Sequence, residues 1–119
     1  MINVYMYNYK EVGKKLPLGI ILGEQPNQKS FNNGYNLACS IEGINENIDN
    51  EIICETIFGY FNSDDRPNGK IQRSMSVGDI IQIKNKMYIC YVVGFKEMEN
   101  LDLSKINKDE NYKIYNAKE

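Results

Sequence analysis

The stretch RSMSVGDIIQIKNKMYICYVVGF, residues 73–95, decides the reading of this chain. Val77-Gly78-Asp79 has turn composition and feeds a run of β-formers over residues 80–83. Lys84-Asn85-Lys86 then makes a short polar hairpin loop, in which Asn85 is suited to the positive φ such loops need. Residues 87–95 are apolar on both faces, the pattern of a central strand covered on both sides. A hairpin over about 80–94 therefore needs a helix against one face.

Working outward, the cover lies just upstream. Over residues 49–61, Ile52, Ile53, Thr56, Ile57, Tyr60 and Phe61 fall on one helical stripe while Glu51 and Glu55 face away. Asp49 or Asn47 is placed to cap the first free N–H groups. Residues 62–70 are a turn-rich connection. Further upstream, Tyr35, Leu37, Cys39 and Ile41 alternate with Asn36, Ala38, Ser40 and Glu42, a half-buried strand that ends at Gly43. Residues 2–9 alternate too, Ile2, Val4 and Met6 against Asn3, Tyr5, Tyr7 and Tyr9. Residues 10–15 read as a turn, 16–22 as an irregular or edge strand interrupted by Pro17 and Gly19, and 23–34 as a loop. After Phe95 the chain becomes charged. There Leu101, Leu103 and Ile106 suit a short helix, and Tyr112, Ile114 and Tyr115 either add an edge strand or fray. The expectation is an α+β fold in one small domain, 1–119: a mostly antiparallel sheet of about four to five strands packed by one main helix.

Composition closes several function classes. The 119 residues include 16 Asn, 16 Ile, 12 Lys and 9 Tyr, a bias that points to an AT-rich genome. The formal net charge is −2, and the 14 basic residues are scattered. A phosphate-binding surface usually carries a clustered basic excess, so nucleic acid is disfavoured as a partner. Cys39, Cys54 and Cys90 form no CxxC pair and have apolar neighbours, which fits reduced core thiols better than a three-Cys metal site. Residues 1–9 lack the pattern of a signal peptide, and no apolar run approaches the roughly 20 residues that span a bilayer. The expected location is the cytoplasm, with no membrane association.

With no histidine, the chain offers no Ser–His or Cys–His nucleophile pair. The turn from Asn62 to Pro67 matches a calcium loop poorly: Arg66 stands at the fifth ligand position, Pro67 at the glycine and Arg73 at the bidentate Glu. Gly69-Lys70 lacks the first glycine of a phosphate loop, and Ile71 follows the lysine instead of Ser or Thr. Asp64 and Asp65 sit together in a polar turn, the ordinary setting of solvated carboxylates. No catalytic residue, metal or cofactor is expected.

Two clusters remain as candidate partner-binding residues. Tyr5, Tyr7 and Tyr9 share one strand face; they pack in the core or at its rim, anchor a protein interface, or stack on bases. Arg73, Ser74, Ser76 and Asp79 make a compact polar loop. Either Asp79 accepts from the backbone N–H groups of its own turn, or the loop binds a partner with Arg73 as its charged anchor.

Residues 73–95 resemble the hallmark of YodL-like domains, in which R-S-[LM]-S-V-[GS]-D leads into a strand, a polar hairpin and a strand ending in G-F. Residues 35–43 resemble the strand before that family's helix, and residues 52–62, with IFGYFN, the helix itself. The resemblance covers about 35–97 and leaves 98–119 as a C-terminal extension. It implies a short protein of unassigned activity from mobile elements, such as conjugative transposons, of low-GC Gram-positive bacteria, and it defines no catalytic residue. The expected function is that of a non-enzymatic accessory protein acting by protein–protein binding. The genomic setting points to counter-defence, the inhibition of a host nuclease. A nucleic-acid-binding regulator of the element is the alternative.

Overall fold

The computed structural model describes residues 1–9, 16–67, 69 and 71–118. The expected turn at 10–15 lies outside them. Strict alternation from Ile2 produces strand β1, Ile2–Tyr7. Its Ile2, Val4 and Met6 enter one apolar cluster, while Tyr5 and Tyr7 enter a second on the opposite face. The hairpin forms as expected from β3, Ile80–Ile83, and β4, Lys86–Tyr91, with Ile80 opposite Ile89 and Ile81 opposite Tyr88. Its loop is tighter than expected. Lys84 rather than Asn85 takes the positive φ, and its ammonium group donates to the Glu46 carbonyl at 3.0 Å.

The long strand expected over 87–95 is interrupted. Tyr91 pairs with Gly94 across an exposed Val92-Val93 tip, and the chain returns as β5, Gly94–Met98. An apolar run cannot reveal a turn made of valines, because its composition is that of a strand.

Strand β2, Tyr35–Glu42, runs antiparallel to β1 with an irregularity between Val4 and Tyr5 that leaves Ala38 unmatched. The extra residue shifts the face on which side chains emerge, so Tyr35 and Leu37 join the second cluster while Cys39 and Ile41 join the first. At the far edge β6, Asn107–Asn116, pairs parallel to β2. The segment 107–116 is thus a strand, and 101–106 is not the short helix that Leu101, Leu103 and Ile106 suggested. The sheet has six strands in the order β5-β4-β3-β1-β2-β6, all neighbours antiparallel except the last pair. It remains mostly antiparallel, with one strand more than expected.

Two further corrections concern the cover. Residues 16–22 give a single helical turn, α1 (Leu18–Ile21), preceded by Pro17 at the capping position, which suits proline's fixed φ. Residues 23–34 contain helix α2, Gln28–Gly34, capped by the Asn27 side chain, which accepts from the Ser30 N–H at 2.8 Å. Its Asn-rich sequence has weak helix propensity. The fully buried Phe31 anchors it, with ring centroids 5.5 Å from Tyr5 and 5.3 Å from Tyr35.

Helix α3, Asn50–Tyr60, covers the first face and is capped by Asp49, whose carboxylate accepts from the Glu51 N–H at 2.9 Å. Its buried face holds Ile53, Cys54 and Ile57, with Phe61 following. Ile52, expected inside, is more than half exposed, and Thr56 is exposed as well. The helix is rotated so that Cys54, beside Cys90, takes the inner position; Ile52 and Cys54 flank the same stripe, and periodicity cannot choose between them. The second face is closed by α1, α2 and the 98–106 segment through Ile20, Phe31, Met98 and Leu101. Strands β1 to β4 are therefore covered on both sides, while the edge strands β5 and β6 are largely exposed.

Candidate functional site: a clamped loop and the cleft beside it

Residues 73–79 pass over the end of β1 just before β3. Gly78 has φ of +94°, and a Cβ there would lie 2.7 Å from a methyl group of Leu16, so both conformation and space require glycine. The Gly78 N–H donates to the Cys90 carbonyl at 2.7 Å, and the Cys90 N–H donates to the Asp79 carbonyl at 2.9 Å, which fixes the turn on β4.

Asp79 is fully buried. Oδ1 accepts from Arg73 Nη2 at 2.7 Å and from the Tyr7 N–H at 3.0 Å, and Oδ2 accepts from Arg73 Nη1 at 2.8 Å and from the Ser76 N–H at 2.8 Å. A carboxylate withdrawn from water is tolerable only when its lone pairs are met in this way. Arg73 also donates to the Tyr7 carbonyl at 3.0 Å, the Ser74 carbonyl at 2.9 Å and the Ser76 hydroxyl at 3.1 Å. Burial acts to lower the guanidinium pKa, but the hydrogen bonds and charge of Asp79 outweigh it and hold it above its ordinary value. The four polar residues of the loop thus form one clamp that ties the turn to β1. Met75, between the two serines, is buried in the first core cluster.

The tyrosines divide. Tyr5 and Tyr7 are buried in the second cluster, and burial, followed by the Tyr112 hydroxyl, pushes the Tyr5 phenol up to about 12. Neither ring is exposed on the surface. Tyr9 is half-buried, stacks on Tyr7 at 4.9 Å and 15°, and carries the Arg73 guanidinium 5.0 Å from its ring centroid. Tyr35 donates its hydroxyl to the Gly78 carbonyl at 2.7 Å, and burial, with the charge of Asp79, raises its pKa strongly. The three cysteines are buried and free. Burial raises Cys39 to about 12, Cys54 to about 12 and Cys90 to about 11. Among the described residues no group of three or more His, Cys, Asp or Glu side chains is placed to hold a metal ion.

Next to the clamp lies an open cleft of about 580 Å³. Its lining includes Tyr9 and Arg73 from the clamp, Asn36, Ala38 and Gln72, and residues 107–111 of β6. It exists because the β2–β6 ladder breaks there. Asn36 faces Asn107 and Leu37 faces Lys108, but pairing resumes only at Cys39 with Lys113. The intervening residues bulge outward, held by the Asn111 N–H donating to Asp109 Oδ2 at 2.9 Å. Gln72 bridges the gap, its Nε2 donating to the Ala38 carbonyl at 2.9 Å and to Asp109 Oδ2 at 3.2 Å, while its Oε1 is buried without a donor. Sequence reading found Arg73 and Tyr9 but missed Asn36, Gln72, Asn107 and Asp109. They lie far apart in the chain, and nothing in their local sequence marks them.

No family model matches this chain, and no solved structure matches it. Among curated proteins, an uncharacterized protein of Acanthamoeba polyphaga mimivirus is 38% identical over 63 aligned positions, which cover 44% of this chain and 58% of that protein. The chain thus spans a little over half the length of that relative. Among the described residues, no helix is long and apolar enough to cross a membrane.

Proposed function

We propose that this chain is a non-enzymatic protein-binding module, an accessory protein of a mobile genetic element that docks on another protein through the cleft beside Arg73. The observation that carries the reading is the state of the charged groups around the cleft. Arg73 is committed to Asp79, Asp109 accepts from Gln72 and Asn111, and the Lys108 ammonium sits 4.5 Å from the Tyr112 ring centroid, which leaves the exposed Glu110 as the remaining charged group of the lining. One solvated carboxylate with no second titratable group free beside it leaves the walls offering hydrogen bonding rather than paired acid–base chemistry.

The mobile-element setting rests on the resemblance of residues 73–95 to YodL-like domains. Within that setting the specific form of the proposal is inhibition of a host defence nuclease, with the cytoplasm as the site of action. The experiment is affinity purification from a related host, using the wild-type chain and an Asn36→Arg variant that fills the cleft with a charged side chain. A partner recovered by the wild type and lost with the variant supports the reading. Recovery of no protein, or salt-dependent binding of DNA or RNA by the purified chain, overturns it.

A further inference from the structure

Three carboxamides line the cleft, Asn36 half-buried and Asn107 and Asn111 exposed. Asn36 and Asn107 are directly opposed in the β2–β6 ladder, which places their side chains on the same face, and Asn111 follows on the bulge. Among the described residues, none of these three side chains has a hydrogen-bond partner. Gln72 adds its donor-free Oε1 to the lining.

Each carboxamide presents one acceptor and two N–H donors in a plane, the complement of a peptide group. The other common ligands of polar clefts fit less well. A sugar ring or nucleobase needs a free aromatic face, and the Tyr9 ring is already stacked on Tyr7 and covered by Arg73. A phosphate needs a cation with donors to spare, and Arg73 is bidentate to Asp79 while Lys108 sits on Tyr112. The parallel ladder is interrupted at this point and Gln72 spans the gap, so an extended chain would lie along the cleft over Gln72, beside Asn36 and Asn107.

We propose that the cleft binds an extended segment of a partner polypeptide through its backbone, with Asn36, Asn107 and Asn111 as the recognising groups. This rests on the protein-binding reading above and gives it a ligand chemistry. Main-chain recognition makes the ligand's side-chain sequence secondary.

The test is to pan a phage-displayed random-peptide library on the full-length protein and to measure recovered peptides by fluorescence polarisation. Enriched peptides should share little side-chain consensus. Asn36→Leu and Asn107→Leu should each weaken them by about tenfold, the effect of a lost hydrogen bond, with thermal unfolding unchanged. N-methylation of a central peptide amide should abolish binding. A library that yields no binder overturns the proposal. Peptides that ignore both substitutions overturn it too, while leaving the protein-binding reading in place with its surface elsewhere. Saccharide or mononucleotide binding that is lost with the same substitutions overturns both the ligand class and the protein-binding use of this cleft.

Discussion

Replacing Asp79 with alanine should be among the most damaging single changes available in this domain. The carboxylate is fully buried and accepts two hydrogen bonds from Arg73 and one each from the backbone N–H groups of Tyr7 and Ser76. Its removal strands a guanidinium and two donors together. Breaking a buried ion pair from one side costs about 3–5 kcal/mol. The Arg73 side chain is about a third exposed, so water reaches part of it and moves its share toward the lower end. The stranded N–H groups add roughly 1–3 kcal/mol each where water does not replace the carboxylate. A net loss of about 4 kcal/mol is the working figure, a large part of the roughly 5–15 kcal/mol that holds a domain folded. Urea unfolding followed by far-UV circular dichroism reads it directly, and thermal unfolding should fall by roughly 15 °C. Asp79→Asn, which keeps the shape and one acceptor, should lose about half as much. A double-mutant cycle with Arg73→Met sharpens the test, because the arginine should matter far less once Asp79 is gone, with a coupling of about 2 kcal/mol. An Asp79→Ala protein within about 1 kcal/mol of wild type, or additive effects in the cycle, would refute the clamp.

Three further outcomes follow from the packing. Ile57→Ala should cost about 2–5 kcal/mol while Ile52→Ala stays within about 0.5 kcal/mol, as measured by urea midpoints; equal losses would contradict the rotation of α3. Gly78→Ala should lose about 1–3 kcal/mol, because its φ is +94° and Leu16 fills the space a methyl group needs; differential scanning calorimetry showing no change would remove that account. Burial raises all three thiols above their unfolded value near 8.5. Above that pH the unfolded chain loses thiol protons that the native one retains, so stability is fully present below about pH 8.5 and falls as pH rises toward the native values of about 11–12. The loss should be on the order of 1–2 kcal/mol per thiol by pH 10. A Cys39→Ala, Cys54→Ala, Cys90→Ala variant should show a flatter profile of urea midpoint against pH, and an unchanged slope would count against the thiols as its source.

The clamp itself was half legible. Asp79, three residues after Ser76 and one after Gly78, reads as a turn carboxylate accepting local N–H groups, and the Ser76 N–H does donate to it. That Arg73 closes on the same carboxylate, and that both reach the Tyr7 backbone across more than sixty positions of chain, depends on β1 lying beside β3. The tyrosine alternation placed Tyr5 and Tyr7 on one face correctly, yet only the covering α2 with Phe31 makes that face core. A weakly helical Asn-rich segment becomes a helix because one aromatic ring has a pocket to fill, and propensity contains no record of the pocket.

From sequence alone came the elements whose signal is local: the alternating strands β1 and β2, the hairpin of β3 and β4, the amphipathic α3 with its Asp79-independent cap at Asp49, and the turn at Gly78. Each is written in residues a few positions apart, within reach of periodicity and turn chemistry. The rotation that buries Cys54 instead of Ile52, the two-valine turn, the parallel β6 and the cleft were decided only by the folded chain. Those features depend on which distant surfaces meet and how tightly they fill one another. Asn36, Gln72 and Asn107 become neighbours only because strands β2 and β6 lie side by side with a bulge between them.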